Sequence, residues 1–252
     1  MTQPAILLKE YLQLNRDILY WMFVSPLKGE KFNIHEVFFQ IIRIGTRALP
    51  VASLTAFSVG LTLAMQAAAE MGKLGADAYV PDLVAVTLLR ELGPMLIAVI
   101  VTGRSGSAIT AELGTMAVSE EIEALSAMAI NPVRFLVVPR FIAMMVMLPV
   151  LTVFGHYVGN LGGWFVCHYT LDMSTANYII RALERATIED LYVGIIKSVV
   201  FAWLIATIAC HFGMTVKGGA EGVGIHTTQS VVTSLLAMLV ANVILTGVFF
   251  FA

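Results

Sequence analysis

Two constellations of polar residues in this chain could do chemistry. Residues 101–112 read VTGRSGSAITAE and set Ser105 among glycines at the end of an apolar run. Further on, His156 opens HYVGNLGG, with Gly159 and Gly163 three and seven residues later. A serine hydroxyl activated by a histidine base is the pairing that nucleophilic amide cleavage uses. The other constellation is Arg90-Glu91, two opposite charges inside an apolar segment. A charge in a bilayer costs about 2.5–3.5 kcal/mol on insertion scales, so it must be compensated and marks a candidate functional position. Consecutive helical residues point about 100° apart, so the two need not pair with each other.

The elements that carry these residues are membrane helices. Of 252 residues, 58% are hydrophobic and 13% charged, and mean hydropathy is +0.85. Soluble domains carry about 25% charge, so the solvent is lipid. A net charge of −2 gives no electrostatic reason to expect nucleic acid. Cys167 and Cys210 lie inside apolar runs, where cysteine is a small buried hydrophobe. Two cysteines are too few for a disulfide framework or a thiolate metal site, and no metal is expected. The first residues lack the pattern of a cleavable leader.

A crossing needs roughly 20 apolar residues. Five stretches qualify: 51–69, 83–103 (interrupted by Arg90-Glu91 and bent at Pro94), 141–169, 191–213 and 230–251. Lys9, Arg16, Lys28, Lys31, Arg43 and Arg47 precede the first, and Arg104, Arg134 and Arg140 lie between the second and third. The positive-inside bias puts the N-terminus and the 104–140 loop in the cytoplasm and the C-terminus outside. Residues 1–49 form a separate interfacial region in this reading, ahead of a five-span domain at 50–252. Leu7, Tyr11, Leu14, Ile18 and Trp21 repeat at helical spacing, as do Ile34, Phe38, Ile41 and Ile44. Such amphipathic helices lie in the headgroup plane. The expected fold class is therefore an all-α integral membrane protein, with five transmembrane helices preceded by N-terminal interfacial helices.

That frame weighs against catalysis. Ser105 falls at the cytoplasmic end of the second span, whereas His156 lies about fifteen residues into the third, on the order of 22 Å deep. Rhomboid-like intramembrane proteases use six or more spans, with serine on the fourth and histidine on the sixth. The alternative account is packing: Gly103 and Gly106 let a helix approach, and Gly155, Gly159 and Gly163 form a small-residue stripe. No catalytic residue is assigned.

Residues 114–140 read GTMAVSEEIEALSAMAINPVRFLVVPR. Ser119 followed by Glu120, Glu121 and Glu123 places acid at a helix start, Ile122 and Leu125 share a face, and Asn131-Pro132 ends the helix. Such a helix near 115–130, tied at both ends to spans, is a handle for a motor subunit. The RELGP motif at Arg90, the GR-GSA-TAE-G-M segment, SEEIEAL-AM, NP-R and PRF together resemble the MlaE (YrbE) family of ABC-transporter permeases. IKSVVFA at Ile196, GA-GVG at Gly219 and the Thr227–Val232 segment extend the resemblance over nearly the whole chain from the first span onward.

The resemblance implies a homodimer bound to two cytoplasmic ABC ATPases and, outside, to a periplasmic MCE-domain protein, moving lipids between the bacterial inner membrane and the periplasmic or outer-envelope side. ATP and Mg would be held by the ATPase, since no G-x-x-x-x-G-K-[ST] loop occurs here. Ser119 to Met128 would seat in the ATPase groove. By resemblance to the family's pocket, acyl chains would lie against Leu63, Met71 and Leu74, in a stripe at helical spacing with Gln66, Ala67 and Glu70. Arg90 or Glu91 would line the route. The chain departs from the family where Asn131 precedes Pro132, where Gln229 flanks the Thr-Thr pair, and where Asn242 stands in the last span.

Overall fold

The computed structural model describes residues 3–24 and 34–251. Among these residues it is all-α, with five helices long and apolar enough to cross a membrane. Helix α1 spans Gln3–Leu19 and closes in a π turn, Tyr20–Val24. Helix α2 is Ile34–Lys73 and α3 is Asp77–Val118. A seven-residue helix, α4, Glu121–Ala127, leads to α5, Val133–Thr170. Helices α6, Thr175–Arg185, α7, Ile188–Met214, and α8, Gly219–Phe251, complete the chain.

The span boundaries differ from the sequence reading in a consistent direction: the helices are longer than their apolar runs. The interfacial helix expected at 34–48 and the first span are one helix, so the expected boundary near residue 49 falls inside α2. Pro50 lacks the amide that would donate to the Thr46 carbonyl, yet no glycine or asparagine stop accompanies it and the helix continues. Likewise α3 runs past Gly103 to Val118, and α8 begins at Gly219 rather than near 230. Lys28 and Lys31 lie outside the described residues. Within α3, π turns at Leu88–Leu92 and Thr102–Gly106 interrupt the regular ladder. The first of them ends just before Gly93-Pro94, so the expected irregularity centres on Arg90 and Glu91.

The chain forms two compact units. The first comprises Met1–Arg47, Val101–Met147 and Phe201–Val240. Its helices are tied by polar contacts: the Tyr11 and Thr207 hydroxyls meet at 2.8 Å, and Trp203 Nε1 donates to Asn15 Oδ1 at 3.0 Å. Thr110 Oγ1 donates to the Ala209 carbonyl and lies 2.9 Å from Ser230 Oγ. Leu14 and Ile18 of α1 are buried, so that helix covers protein with the face expected to meet headgroups.

The second unit comprises Ala48–Ile100, Leu148–Val200 and Ala241–Ala252. Its core is Ala64, Ala67, Val80, Val84, Leu88, Val166 and Cys167, closed by Met173 and Tyr178. Close approach of α2 and α5 depends on glycine. A methyl group on Gly60 would land on the Gly159 backbone, and one on Gly162 would meet the Phe57 carbonyl. The stripe read from the sequence packs too: Gly155 on Ile97, Gly159 on Leu88 as well as on α2, and Gly163 on Val84 and Tyr178. Gly106 faces Ile205, while Gly103 has nothing within 4 Å of where a Cβ would stand. Among the described residues, no neighbouring helix faces the open side of Gly103.

Candidate functional site

A π turn carries one extra residue per turn, and the one at Leu88–Leu92 places Arg90 and Glu91 where each finds its own partners. Lys197 Nζ donates to Glu91 Oε1 at 2.6 Å and to Thr246 Oγ1 at 2.8 Å. Thr246 Oγ1 in turn reaches both Glu91 oxygens at 3.2 Å. Lys197 is wholly buried, while Glu91 is about one-third exposed, at 34%. Arg90 donates to Asp190 Oδ1 at 3.4 Å and to the Phe249 carbonyl at 3.3 Å. Asp190 is itself fixed, because its other oxygen accepts from the Thr187 amide and hydroxyl while its amide donates back to Thr187 Oγ1. This reciprocal pattern is a capping box at the start of α7.

These charges cross-link α3, α7 and α8. The sequence pointed to Arg90 and Glu91 but not to their partners. A signal was available: Asp190 and Lys197 each sit in or beside an apolar run, and each needs a counter-charge.

The stripe on α2 divides. Ala67 is buried and Leu63 and Met71 pack on the same core, whereas Gln66, Glu70 and Leu74 are exposed, Leu74 at 76%. Glu70 pairs with Lys73 at 2.8 Å on the helix surface. None of the six lines the unit's large cavity. That cavity, of about 670 Å³, lies among α3, α5, α6 and α7, with His156, Asn160 and Tyr178 as its most buried polar residues. The amphipathic helix α6 that walls it was not anticipated, because eleven residues with Arg181 and Arg185 read as a loop between spans.

Among the described residues, neither Ser105 Oγ nor either His156 nitrogen has a hydrogen-bond partner, so no serine–histidine hydrogen bond is formed. Among the described residues, no group of three or more His, Cys, Asp or Glu side chains could hold a metal ion.

Residues 37–248 match the family profile described as Permease MlaE. The chain belongs to the MlaE permease family. A probable ABC transporter permease protein of Rickettsia prowazekii is 37% identical over 211 residues, covering 84% of this permease and 82% of that protein. One of Synechocystis is 37% identical over 229 residues, covering 91% and 87%. The chloroplastic protein trigalactosyldiacylglycerol 1 of Arabidopsis thaliana is 36% identical over 225 residues, covering 89% of this permease and 64% of that protein.

In this MlaE permease the segment after α3 is bracketed by two left-handed residues, Glu120 and Ala129, both at φ 59°. Helix α4 between them has no buried residue. Ile122 and Leu125 are half-buried, while Glu121, Glu123 and Met128 are exposed. Ser119 Oγ lies 2.9 Å from Glu121 Oε1. In the same unit, Glu112 of α3 is held by two arginines: Arg43 Nη1 at 2.5 Å and Arg140 Nη2 at 2.8 Å. Asn131 Oδ1 accepts from the Arg134 amide at 3.1 Å, so the asparagine serves as a helix cap. Gln229 is exposed, and Asn242 Oδ1 is buried with no hydrogen-bond partner among the described residues.

Proposed function

We propose that this permease is the membrane subunit of an ATP-driven ABC transporter that moves lipids, phospholipids foremost, between the bacterial inner membrane and the envelope outside it. The observation that carries this reading is a polar ridge on α2. Ser58, Thr62, Gln66 and Glu70 recur every four residues, all exposed, on a helix apolar enough to span. Ser58 and Thr62 satisfy their hydroxyls on carbonyls of their own helix, but a glutamine amide facing acyl chains is costly, and Glu70, paired with Lys73, stands just past the end of the apolar run. The ridge suits the wall of a lipid route, with headgroups against Gln66 and Glu70 and chains against Leu63, Met71 and Leu74. The relative named for trigalactosyldiacylglycerol supports a lipid cargo. Arg90, at 38% side-chain exposure, is the charge nearest to serving the same route.

A homodimer completes it. Helix α8 leaves Ile225, Gln229, Val232, Leu236, Val240 and Val243 exposed at steps of three and four residues, one seam along the helix. Two cytoplasmic ATPases, binding ATP and Mg, grip the α4 segment at Ile122 and Leu125. A periplasmic MCE-domain protein receives or delivers the lipid outside. The N-terminus is cytoplasmic and the C-terminus periplasmic. The test is purification of the complex in mild detergent with mass spectrometry of what accompanies it. A Walker-motif ATPase and bound phospholipid are expected, with Ile122→Asp losing the ATPase and Met71→Trp losing the lipid. Lipid-stimulated ATPase activity unchanged in both Arg90→Ala and Glu91→Ala would remove that pair from the route.

A further inference from the structure

The cavity of the second unit inverts the usual arrangement of a pocket that faces water. Its rim is apolar and exposed: Leu161 at 55%, Ile179 at 49%, Leu183 at 70% and Ile188 at 72%. Its deep residues are polar, with His156 and Tyr178 each only 4% exposed. A ligand entering past that rim comes from the acyl region rather than from solvent. The volume, about 670 Å³, lies within the range of small-molecule sites, roughly 300–1,000 Å³.

The floor chooses the ligand's polar end. Tyr178 Oη donates to the Asn160 carbonyl at 3.1 Å and lies 3.4 Å from Asn160 Oδ1. Asn160 Nδ2 spends one proton on the His156 carbonyl at 2.9 Å and has a second to give. Among the described residues neither ring nitrogen of His156 has a hydrogen-bond partner, and the Nδ1 edge of the ring lies against Gly93, where a side chain would displace it. One hydroxyl can meet one imidazole nitrogen, as donor or as acceptor according to the tautomer, and accept the spare Asn160 proton as well. No Lys, Arg, Asp or Glu lines the cavity. A phosphodiester buried there would lack the cation that a desolvated anion needs.

We infer that each subunit holds a second lipid site, distinct from the α2 ridge, for an uncharged lipid alcohol: its hydroxyl reaches the His156–Asn160 floor and its hydrocarbon leaves past Leu161, Ile179 and Leu183. The site does not depend on where the transported lipid travels.

The test uses the purified complex in nanodiscs, with a photoactivatable diacylglycerol and a photoactivatable phosphatidylglycerol bearing the same acyl chains. The diacylglycerol labels peptides from residues 153–164 and 175–191 at least about tenfold more than the phosphatidylglycerol does. His156→Phe, which keeps the ring and removes both nitrogens, lowers that labelling about tenfold, as loss of one buried hydrogen bond implies. Leu183→Trp lowers it by narrowing an exposed rim, a change that folding tolerates. Gln66→Trp on the exposed ridge leaves it unchanged, which separates this site from the transport route. Equal labelling by both probes, labelling indifferent to His156→Phe and Leu183→Trp, or cross-links from these peptides to a partner chain in place of lipid would overturn the inference.

Discussion

Lys197 shows what a single residue contributes at membrane depth. A fully buried ammonium is tolerated because Glu91 and Thr246 surround it, and removing one member strands the other. Glu91→Leu, which strands the buried ammonium, should cost about 3–5 kcal/mol, the usual result of breaking a buried pair, whereas adding Lys197→Met should recover most of it. Thermal unfolding of the purified permease, run as a double-mutant cycle, measures both. Tyr178 makes a gentler case outside the spans. Burial, and secondarily Cys167, raises its phenol above the ordinary tyrosine value. A raised folded pKa favours the neutral form, so its contribution is complete below about pH 10 and fades as pH climbs through the folded value. Tyr178→Phe should cost about 1 kcal/mol at neutral pH by losing the bond to Asn160. The gap between wild type and variant should then narrow above pH 10.

At the scale of elements, glycine decides how helices meet, and the sequence revealed only some of the glycines involved. The stripe at Gly155, Gly159 and Gly163 stood out because its members are four apart. Of the tighter approaches, one sets Gly60 on the backbone of Gly159, a member of the stripe, and the other sets Gly162 on Phe57; Gly60 and Gly162 themselves belong to no repeat, because each is defined by a backbone atom on another helix. Gly60→Ala and Gly162→Ala should each destabilise by about 1–3 kcal/mol through overpacking, while Gly103→Ala should be neutral or slightly favourable to helix stability. A melting-temperature series across the three distinguishes them. Helix ends were also misread, since hydropathy marks where lipid begins and not where hydrogen bonding stops. Helix α2 continues from Ile34 because nothing between Ala48 and Val51 except one proline opposes it.

For the whole molecule, the proposed dimer follows from how little of α8 this chain covers. Only 11% of its most apolar window is buried. If the exposed seam is shared by two copies, Val243→Cys should form a disulfide-linked dimer under mild oxidation in native membranes. Cys167 and Cys210 are buried and should not interfere. Tyr192→Cys, on an exposed position of α7, should remain monomeric on a denaturing gel. A Val243→Cys protein that never cross-links would place the seam against lipid or another chain.

Class, number of crossings and family were legible in the sequence, because a bilayer demands long uncharged stretches and the signature from Arg90 to Phe141 is written in residue types at fixed spacing. So was the need for Arg90 and Glu91 to be compensated, since desolvation penalises a charge whatever surrounds it. Tertiary structure alone decided that Lys197, Thr246 and Asp190 answer them, that Ser105 and His156 share no hydrogen bond, and that α6 walls a cavity floored by His156. Those outcomes depend on contacts between residues as many as 155 positions apart, and periodicity along one chain carries no information about such distances in space.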